Sequence, residues 1–310
     1  MRAARLYAPG DLRIEDVPRP EPGPGDVLVQ VELALTDGTD LKTFRRGHPV
    51  LAQESPSPFG HEFCGIVDGR RVVAANSAPC GSCDGCARGE QCRNLVFLSG
   101  AYADWILVPE RIADVNLHEV PRGIAPEVAA MVEPLACCLR GVERAGIEAG
   151  ASVSILGAGP IGLMLAACVA DAGGWPVVVG GREERRALVE LFGAQSGPGT
   201  DADVVFEAAG SDTAWIDAIE LARPGGTVVM FGGLPRDARP PIDAYRLHYE
   251  ELTVRGSFHH SPATVRAALG FLASGAYPWE RLVTHRVLLD DLPMLFADPP
   301  RDLLKAAVVP

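Results

Sequence analysis

Lysine is nearly absent from this 310-residue chain: only Lys42 and Lys305 occur, so arginine supplies 26 of the 28 basic residues. Asp and Glu together number 40, which gives a formal net charge of −12. No run of basic residues offsets this excess, and such a composition argues against nucleic acid or an anionic membrane as the main partner. Apolar residues make up 47% and charged residues 22%, as in folded globular proteins, and the length favours two domains.

Long apolar segments are also scarce. Residues 149–170 carry no charge, but Gly157–Pro160 stands in their middle, so turn residues divide them into a strand and a helix. The N-terminal segment MRAARLYAPGDLRIEDV lacks the apolar core of a signal peptide. We therefore expect no membrane span and a cytoplasmic location.

Two patterns divide the chain. In residues 1–75, short apolar stretches such as VLVQV at 27–31 alternate with Gly, Pro and Asp turns, which predicts a mostly β region. From about residue 126, helical segments alternate with strands such as VSILG, VVVG, ADVVFEAAG and TVVMFGG. This alternation predicts βαβ units and a parallel, doubly wound sheet. One more helix, ATVRAALGFLASG, and a closing strand, LKAAVVP, follow.

A glycine-rich turn follows the first strand of the alternating region. Gly157, Gly159 and Gly162 form the pattern G-x-G-x-x-G between a predicted strand and a predicted helix. The first glycine permits a tight turn, the second lets a pyrophosphate approach the backbone, and the third lets helix and strand pack closely. Free N–H groups at the helix N-terminus favour the negative charge of the pyrophosphate. We therefore predict a dinucleotide site that also includes Pro160 and Ile161.

The end of the next strand indicates which nucleotide binds. An NAD site needs an acidic residue there for the ribose 2′-hydroxyl, but Gly180 occupies this position. The missing carboxylate and the nearby Arg182 favour the 2′-phosphate of NADP. Alternatively, the arginines belong to a solvated helix start, where they pair with Glu183 and Glu184. We favour NADP, with NAD possible. The predicted cofactor-binding set comprises Gly157, Gly159, Pro160, Ile161, Gly162, Gly180, Gly181, Arg182, Arg186, Ala209 and Gly232.

Half of the eight cysteines are concentrated in one loop: Cys80, Cys83, Cys86 and Cys92 fall within thirteen residues. Without an export signal, Cys-x2-Cys spacing is more typical of a metal site than of disulfides. Four thiolates from one loop match the tetrahedral set of a structural Zn²⁺, which can hold a lobe that lacks its own core. We therefore predict a structural zinc, and a redox cluster is the alternative.

Three short segments with acidic or histidine side chains are farther apart. They are Asp37-Gly38-Thr39-Asp40, Gly60-His61-Glu62 and Glu133-Pro134-Leu135. Asp-Gly is usually a turn, and a single histidine is usually structural. Spacing alone therefore does not decide between a metal site and three unrelated structural features.

Taken together and in order, these motifs resemble the zinc-dependent medium-chain dehydrogenase/reductase family. The resemblance is carried by GHE at 60–62, the four-cysteine loop, EPLA at 133–136, GAGPIG at 157–162 and the terminal LKAAVVP, so it covers essentially the whole chain. It implies an α/β fold in which a mostly β, GroES-like catalytic domain at 1–138 and 259–310 is interrupted by a Rossmann domain at 139–258. A zinc-binding lobe at about 78–95 belongs to the catalytic domain.

The resemblance also implies a catalytic zinc. The family usually has cysteine where Asp37 stands, although some of its sugar dehydrogenases have aspartate, and zinc accepts an oxygen ligand. His61 matches the histidine ligand, and Glu62 matches a carboxylate that ligates directly or supports the site from outside. Glu133 matches the glutamate of sugar- and polyol-type members. The implied zinc set is therefore Asp37, His61, Glu62 and Glu133, with weaker retention than at the cysteine site.

Three further residues are assigned by the resemblance. Thr39 matches the hydroxyl residue that relays the substrate proton. Lys42 falls where several members have a histidine in the outer part of that relay. His259 aligns with a position that faces nicotinamide and sugar in the glucose dehydrogenases, and a surface-loop histidine beside His260 is the alternative.

The implied activity is reversible hydride transfer between a sugar or polyol hydroxyl and NADP(H), with zinc as Lewis acid. One alternative is a dehydrogenase of an aminocyclitol or a simple secondary alcohol that uses NAD(H). Another is a zinc-free enone or quinone reductase, although such members generally lack both zinc motifs. A third is a non-catalytic NADPH-binding homologue without the catalytic zinc. The expected partner is a small-molecule sugar, polyol or alcohol, and the family analogy suggests a homodimer or homotetramer.

Overall fold

The computed structural model describes residues 1–47 and 55–310 of the chain. Two compact units make up this part of the chain: Met1–Pro134 together with Ser261–Pro310, and Leu135–His260. The first unit is thus built from both ends of the chain and the second from its middle. Among the described residues, no helix combines the length and the apolar character needed to cross a bilayer.

The strands of the described residues are short, and most belong to the first unit. They are β1 (Arg2–Ala8), β2 (Asp11–Asp16), β3 (Val27–Leu35), β4 (Ser57–Pro58), β5 (Glu62–Val67), β6 (Arg70–Ala74), β7 (Ser77–Ala78), β8 (Val96–Phe97), β9 (Trp105–Val108), β10 (Leu117–Glu119), β11 (Ser152–Leu156), β12 (Trp175–Val179), β13 (Gln195–Ser196), β14 (Ala202–Glu207), β15 (Ala222–Met230), β16 (Thr253–Gly256), β17 (Val283–Leu288) and β18 (Lys305–Val309).

The helices of the described residues range from 4 to 14 residues in length. They are α1 (Gly38–Arg46), α2 (Asp84–Ala87), α3 (Glu110–Asn116), α4 (Pro126–Ala129), α5 (Val132–Ala145), α6 (Pro160–Asp171), α7 (Glu183–Leu191), α8 (Asp212–Leu221), α9 (Ala244–Tyr249), α10 (Pro262–Ala273) and α11 (Leu292–Ala297). Two 3₁₀ segments flank β17, at Trp279–Leu282 and Leu289–Asp291.

The first unit is built largely from antiparallel strands. Its main sheet has the order β10–β6–β5–β3–β18–β17, with β9 also paired to β3. A second sheet has the order β2–β1–β4, and β7 pairs with β8. Phe63, Tyr102 and Ile112 belong to the buried core of this unit. In the register of the main sheet, Leu35 at the end of β3 pairs with Glu62 of β5 on one side and with Ala307 of β18 on the other. These three segments of the chain therefore lie side by side.

The second unit contains the predicted parallel sheet, in the order β13–β12–β11–β14–β15–β16. The chain moves from β11 to β12 on one side and later to β14 on the other, so the strand order switches at β11. Open parallel sheets bind ligands at the carboxyl end of such a switch point. Here the glycine-rich turn that begins at Gly157 directly follows β11.

The helices and strands predicted from residue 126 onward are present, with shifted boundaries. The helix expected from residue 126 onward is two helices, α4 and α5. The helix expected over DTAWIDAIELARPGG ends at Leu221, and β15 begins at Ala222. Proline and glycine at 224–226 do not extend a helix, which explains the earlier end.

Replacing Gly162 by alanine is expected to destabilise the second unit by about 3 kcal/mol. A Cβ at this position would lie 1.8 Å from the carbonyl oxygen of Gly157, so β11 and α6 would have to separate. Thermal unfolding followed by circular dichroism measures the loss. Gly159→Ala is the matched control, because a Cβ there meets no atom within 4 Å. Equal melting temperatures for the two variants would contradict the close packing.

Candidate functional site

Asp37 is the N-cap of helix α1, and its carboxylate also faces His61. Its Oδ1 accepts a hydrogen bond from the backbone N–H of Asp40 at 2.7 Å, which caps the helix. Its Oδ2 lies 3.8 Å from Nε2 of His61. One carboxylate oxygen is therefore used by the backbone, and the other is available to a cation.

His61 is buried, and a carboxylate behind it orients its ring. Nδ1 of His61 lies 3.2 Å from Oδ1 of Asp40. The hydroxyl of Tyr102 donates a hydrogen bond to Oδ2 of Asp40. The carbonyl oxygen of Leu35 lies 3.0 Å from the same hydroxyl oxygen. When Nδ1–H is donated to Asp40, the lone pair of Nε2 faces Asp37, which is the arrangement that metal-binding histidines use.

Gly60, the first residue of the G-H-E motif, makes room for this arrangement. Its φ is +87°, a value that favours glycine, and a Cβ there would lie 2.5 Å from the ring of Tyr102. The Tyr102 ring therefore packs directly on the backbone of Gly60, and its hydroxyl reaches Asp40.

Glu62 and Lys305 form a buried ion pair beside His61. Nζ of Lys305 donates to Oε1 and Oε2 of Glu62 at 2.7 and 2.6 Å and to the carbonyl oxygen of Thr36 at 3.3 Å. Glu62 is 0% exposed and Lys305 1% exposed. The structure thus adds a cation to the cluster that the sequence analysis did not include.

The buried charges shift one another's pKa values. Burial alone would lower the pKa of His61, but Asp40 and Asp37 outweigh it and raise that pKa well above its ordinary value. Burial alone would likewise lower the pKa of Lys305, but Glu62 and Asp37 outweigh it and raise the value. Burial would raise the pKa of Asp37, but His61 and Lys305 keep it low. A metal ion must therefore displace a proton from His61, so acid weakens metal binding.

Glu133 lies in the first turn of α5 and is buried in the first unit. Burial is the main cause that raises the pKa of Glu62, and the negative charge of Glu133 adds to it, as it adds to the effect of Asp40 and Asp37 on the pKa of His61. Glu133 therefore acts electrostatically on the cluster, as expected of a further carboxylate near a metal site.

The other predicted active-site residues fall in both units. Thr39 and Lys42 lie in α1, and Thr39 follows Asp37 by two residues in the first turn. His259 belongs to the second unit, where its ring stacks on Phe258 with 5.3 Å between centroids and lies 4.2 Å from the ring of His260.

The donor atoms at Asp37 and His61 fit a catalytic metal ion. Ligand atoms of Asp37, His61 and Glu62 all lie within 4.8 Å of one another. The 3.8 Å between Asp37 Oδ2 and His61 Nε2 is shorter than two zinc–ligand bonds of about 2.1 Å each, so one ion can contact both. A set of carboxylate oxygens and an imidazole nitrogen suits Zn²⁺.

The four clustered cysteines fit a second zinc ion. Their Sγ–Sγ distances are 3.6 Å for Cys83–Cys86 and Cys80–Cys92, and 3.9 Å for Cys80–Cys86 and Cys83–Cys92. Four sulfurs at about 2.3 Å from a tetrahedral zinc lie about 3.8 Å apart. Hydrogen bonds from Ser82 lower the pKa of Cys80, which favours the thiolate. The antiparallel strands β7 and β8 pair with each other just before and just after the segment that carries the four cysteines.

Replacing Cys86 by serine is expected to remove one zinc per chain and to lower the melting temperature. The substitution breaks the four-sulfur set, and the short helix α2 depends on the lobe that the ion holds together. Zinc per chain by elemental mass spectrometry checks the expectation. Cys137→Ser is the control, since Cys137 lies outside the cluster. Native zinc content in Cys86→Ser would contradict the assignment.

The glycine-rich turn leaves space where a pyrophosphate would bind. Gly157 has a φ of +113°, and Gly159 is the N-cap of α6. A Cβ on Gly159 would meet no atom within 4 Å, so the backbone at the start of the helix is open to a ligand. Helix N-termini of this kind bind phosphates through free N–H groups and the helix dipole.

Glu207, which the sequence analysis missed, organises two predicted cofactor residues. Its Oε1 accepts hydrogen bonds from the backbone N–H groups of Ala209 at 2.9 Å and Gly210 at 2.6 Å. Its Oε2 accepts one from Gly232 at 3.2 Å. This buried carboxylate at the end of β14 therefore fixes the turns after β14 and β15. An acidic residue that ends the apolar strand ADVVFE is the signal that could have identified it.

Gly180 directly follows β12, at the same carboxyl edge of the sheet as Gly157. Gly181 packs closely on the glycine-rich turn, because its φ is +88° and a Cβ there would lie 2.4 Å from Cβ of Ala158. Arg182 is the N-cap of α7, and both it and Arg186 are exposed. Two arginines therefore follow, in the chain, the strand end where the ribose of a dinucleotide is expected.

Comparisons with known proteins agree with this arrangement. The chain matches the alcohol dehydrogenase GroES-like domain over residues 23–122 and the zinc-binding dehydrogenase family over residues 195–274. D-altritol 5-dehydrogenase from Agrobacterium fabrum is 30% identical over 97% of this chain and 97% of that protein. Erythritol/L-threitol dehydrogenase from Mycolicibacterium smegmatis is 30% identical over 94% of this chain and 92% of that protein.

Solved structures show the same fold. A zinc-binding dehydrogenase from Sinorhizobium meliloti 1021, bound to NADP, has a TM-score of 0.88 and 33% identity, covering 100% of this chain and 99% of that one. An alcohol dehydrogenase from Thermus sp. ATN1 has a TM-score of 0.84 and 28% identity, with the same coverage.

Proposed function

Because the chain belongs to the zinc-dependent medium-chain dehydrogenase family, we propose that it transfers a hydride reversibly between a polyol or sugar hydroxyl and NADP(H). The observation that carries the proposal is the pair of Asp37 Oδ2 and the buried His61 Nε2, which face each other across 3.8 Å. Family membership establishes zinc and a nicotinamide cofactor. The polyol substrate and NADP(H) are inferred from the residues discussed next.

We assign the metal ligands to Asp37, His61 and Glu133, with Glu62 beside them. Zinc held there supplies a Lewis acid for the substrate hydroxyl. Asp40 keeps the His61 ring in the tautomer that presents Nε2. Thr39, in the first turn of α1, accepts the hydroxyl proton and releases its own toward solvent, and Lys42, about one helical turn later, lies along the outer part of this path as a hydrogen-bond donor.

The nucleotide is held by the second unit. The N-terminus of α6 binds the pyrophosphate, and Arg182 and Arg186 bind the 2′-phosphate. A nicotinamide bound there would accept the hydride of the carbinol C–H bond, and Thr39 would take the hydroxyl proton. The products are a carbonyl compound, NADPH and a proton. We place His259 near the nicotinamide and the substrate.

Two features favour a polyol or a sugar over a simple alcohol. Both relatives at 30% identity are named for polyols, erythritol or threitol in one case and altritol in the other. Glu133 is also the residue type that sugar- and polyol-type members of the family have at this position, where simple alcohol dehydrogenases usually have cysteine. We also propose a cytoplasmic homodimer or homotetramer, which sedimentation of the purified protein measures.

Nicotinamide absorbance during turnover tests the proposal. Zinc-replete enzyme is mixed with NADP⁺ or NAD⁺ and with erythritol, xylitol, sorbitol, altritol, glucose or 2-butanol. Reduction of NADP⁺ by one or more polyols or sugars, abolished in His61→Ala, is the expected result. Turnover of 2-butanol with NAD⁺ alone would instead identify a simple secondary-alcohol dehydrogenase. If enzyme with two zinc ions per chain turned over no compound of the panel, the polyol assignment would be overturned.

A further inference from the structure

Lys305 is a buried cation in an otherwise apolar strand. It is one of two lysines in the chain, and its neighbours in β18, Ala306 to Val308, are buried and apolar. Removing an ammonium group from water is costly unless the protein supplies compensating partners. The place of Lys305 in the fold therefore depends on the groups that its Nζ contacts.

The contacts of Lys305 use its hydrogen-bonding capacity completely. An ammonium group has three N–H donors and no acceptor. Nζ meets three acceptors: Oε1 and Oε2 of Glu62 and the carbonyl oxygen of Thr36. Lys305 therefore has no donor left for a substrate, and any effect it has on the reaction passes through Glu62.

The backbone of Ala306, the next residue after Lys305, is tied to the segment that carries a proposed metal ligand. The N–H of Thr36 donates to the carbonyl oxygen of Ala306 at 3.0 Å, and the N–H of Ala306 donates to Oγ1 of Thr36 at 2.8 Å. Thr36 immediately precedes Asp37. The position of Lys305, and with it that of the Glu62 carboxylate, is therefore fixed relative to Asp37.

The charge of Lys305 also matters for the metal site. Asp37, Glu133 and Glu62 bring three negative charges to a site proposed for one divalent ion. The ammonium of Lys305 neutralises Glu62, so the other two carboxylates balance the ion. Without Lys305, the Glu62 carboxylate would be a buried anion beside a cation, and direct ligation would be its nearest source of compensation.

We propose that Lys305 is a positioning residue that keeps Glu62 out of the inner coordination of the metal. By occupying both carboxylate oxygens, it leaves one coordination position for the substrate hydroxyl. This inference rests on the proposed function, because it presumes a metal ion at Asp37 and His61. It assigns Glu62 an outer, supporting role, one of the two roles that the sequence analysis left open.

The experiment compares native holoenzyme, Lys305→Met and Lys305→Met/Glu62→Gln, with Co²⁺ exchanged for the more weakly held zinc. In Lys305→Met, we expect Glu62 to join the metal. The visible Co²⁺ absorption then shifts because a carboxylate takes the position left for the substrate hydroxyl, release of the ion to a chelator slows at least about tenfold, and KM for the polyol rises. The double variant should restore the native spectrum and release rate.

Arg71→Met is the matched control. It breaks another bidentate pair of the first unit, since Arg71 donates to both oxygens of Glu32 at 2.7 Å. Its Co²⁺ spectrum and release rate should stay native. A native spectrum in Lys305→Met, or a changed spectrum that persists in the double variant, would overturn the proposal.

Glu62→Gln provides a test that does not depend on the folding of Lys305→Met. If Glu62 is held outside the coordination shell, its amide variant keeps the native Co²⁺ spectrum, and loss of a ligand from that spectrum overturns the proposal. A native protein with a single zinc per chain overturns the proposed function and this inference together, whereas polyol turnover with unresponsive variants overturns this inference alone.

Discussion

The Asp37→Asn enzyme is expected to oxidise its polyol about 1,000-fold more slowly than the native enzyme while melting at nearly the same temperature. The amide oxygen of asparagine can still accept the hydrogen bond from the Asp40 N–H, so the cap of α1 is kept. The oxygen that lies 3.8 Å from Nε2 of His61 becomes a neutral amide nitrogen, which cannot replace an anionic ligand. A metal Lewis acid contributes several kcal/mol, and about 4 kcal/mol corresponds to about 1,000-fold in rate.

Steady-state kcat, zinc per chain and thermal unfolding are measured together for this variant. Asp243→Asn is the matched control, because Asp243 also caps a helix, with Oδ1 accepting from Tyr245 and Arg246, but lies in the other unit. Its kcat should stay native. Asp37→Ala should lose the cap as well, at a further cost of about 1 kcal/mol in stability. A native kcat and two zinc ions in Asp37→Asn would exclude Asp37 as a ligand.

The distance along the chain decides how much of this site the sequence reveals. The cap between Asp37 and Asp40 spans three residues and lies within one readable motif. The contact of Asp40 with His61 spans 21 residues, and the pair of Lys305 with Glu62 spans 243. Such partners are found only once the register of β3, β5 and β18 is known. A lone lysine in an apolar terminal strand was the one sequence signal of the second pair.

The fold shows the same division. The second unit could be predicted because each βαβ repeat buries a local apolar strand against a nearby helix, and its periodicity is visible in the sequence. In the first unit, the central strand β3 pairs with β18. At the end of this pairing, Thr36 and Ala306 are hydrogen-bonded although they are 270 residues apart in the chain. Short strands that alternate weakly do not specify such pairing, since register depends on tertiary packing. Family resemblance, not periodicity, supplied the architecture of this unit.

The variant Gly180→Asp/Arg182→Ala is expected to lower the NADP⁺-to-NAD⁺ ratio of kcat/KM by about 1,000-fold. Loss of a charge-assisted hydrogen bond to the 2′-phosphate costs about 1.5–3 kcal/mol. The new carboxylate at the end of β12 repels that phosphate and accepts a hydrogen bond from the 2′-hydroxyl of NAD⁺. The site has room, because a Cβ on Gly180 meets no atom within 4 Å. Aspartate also tolerates its φ of +76° better than most residues.

Initial rates with each nucleotide, at a saturating concentration of the polyol, measure the ratio. Arg223→Ala is the control: Arg223 lies near the start of β15, at the opposite edge of the parallel sheet, where it pairs with Asp203. Its ratio should remain native, which separates a local effect from a general loss of positive charge. An unchanged ratio in the double variant would mean that Arg182 does not bind a phosphate. The arginines of this turn would then belong to a solvated helix start, and the 2′-phosphate would have to be recognised elsewhere.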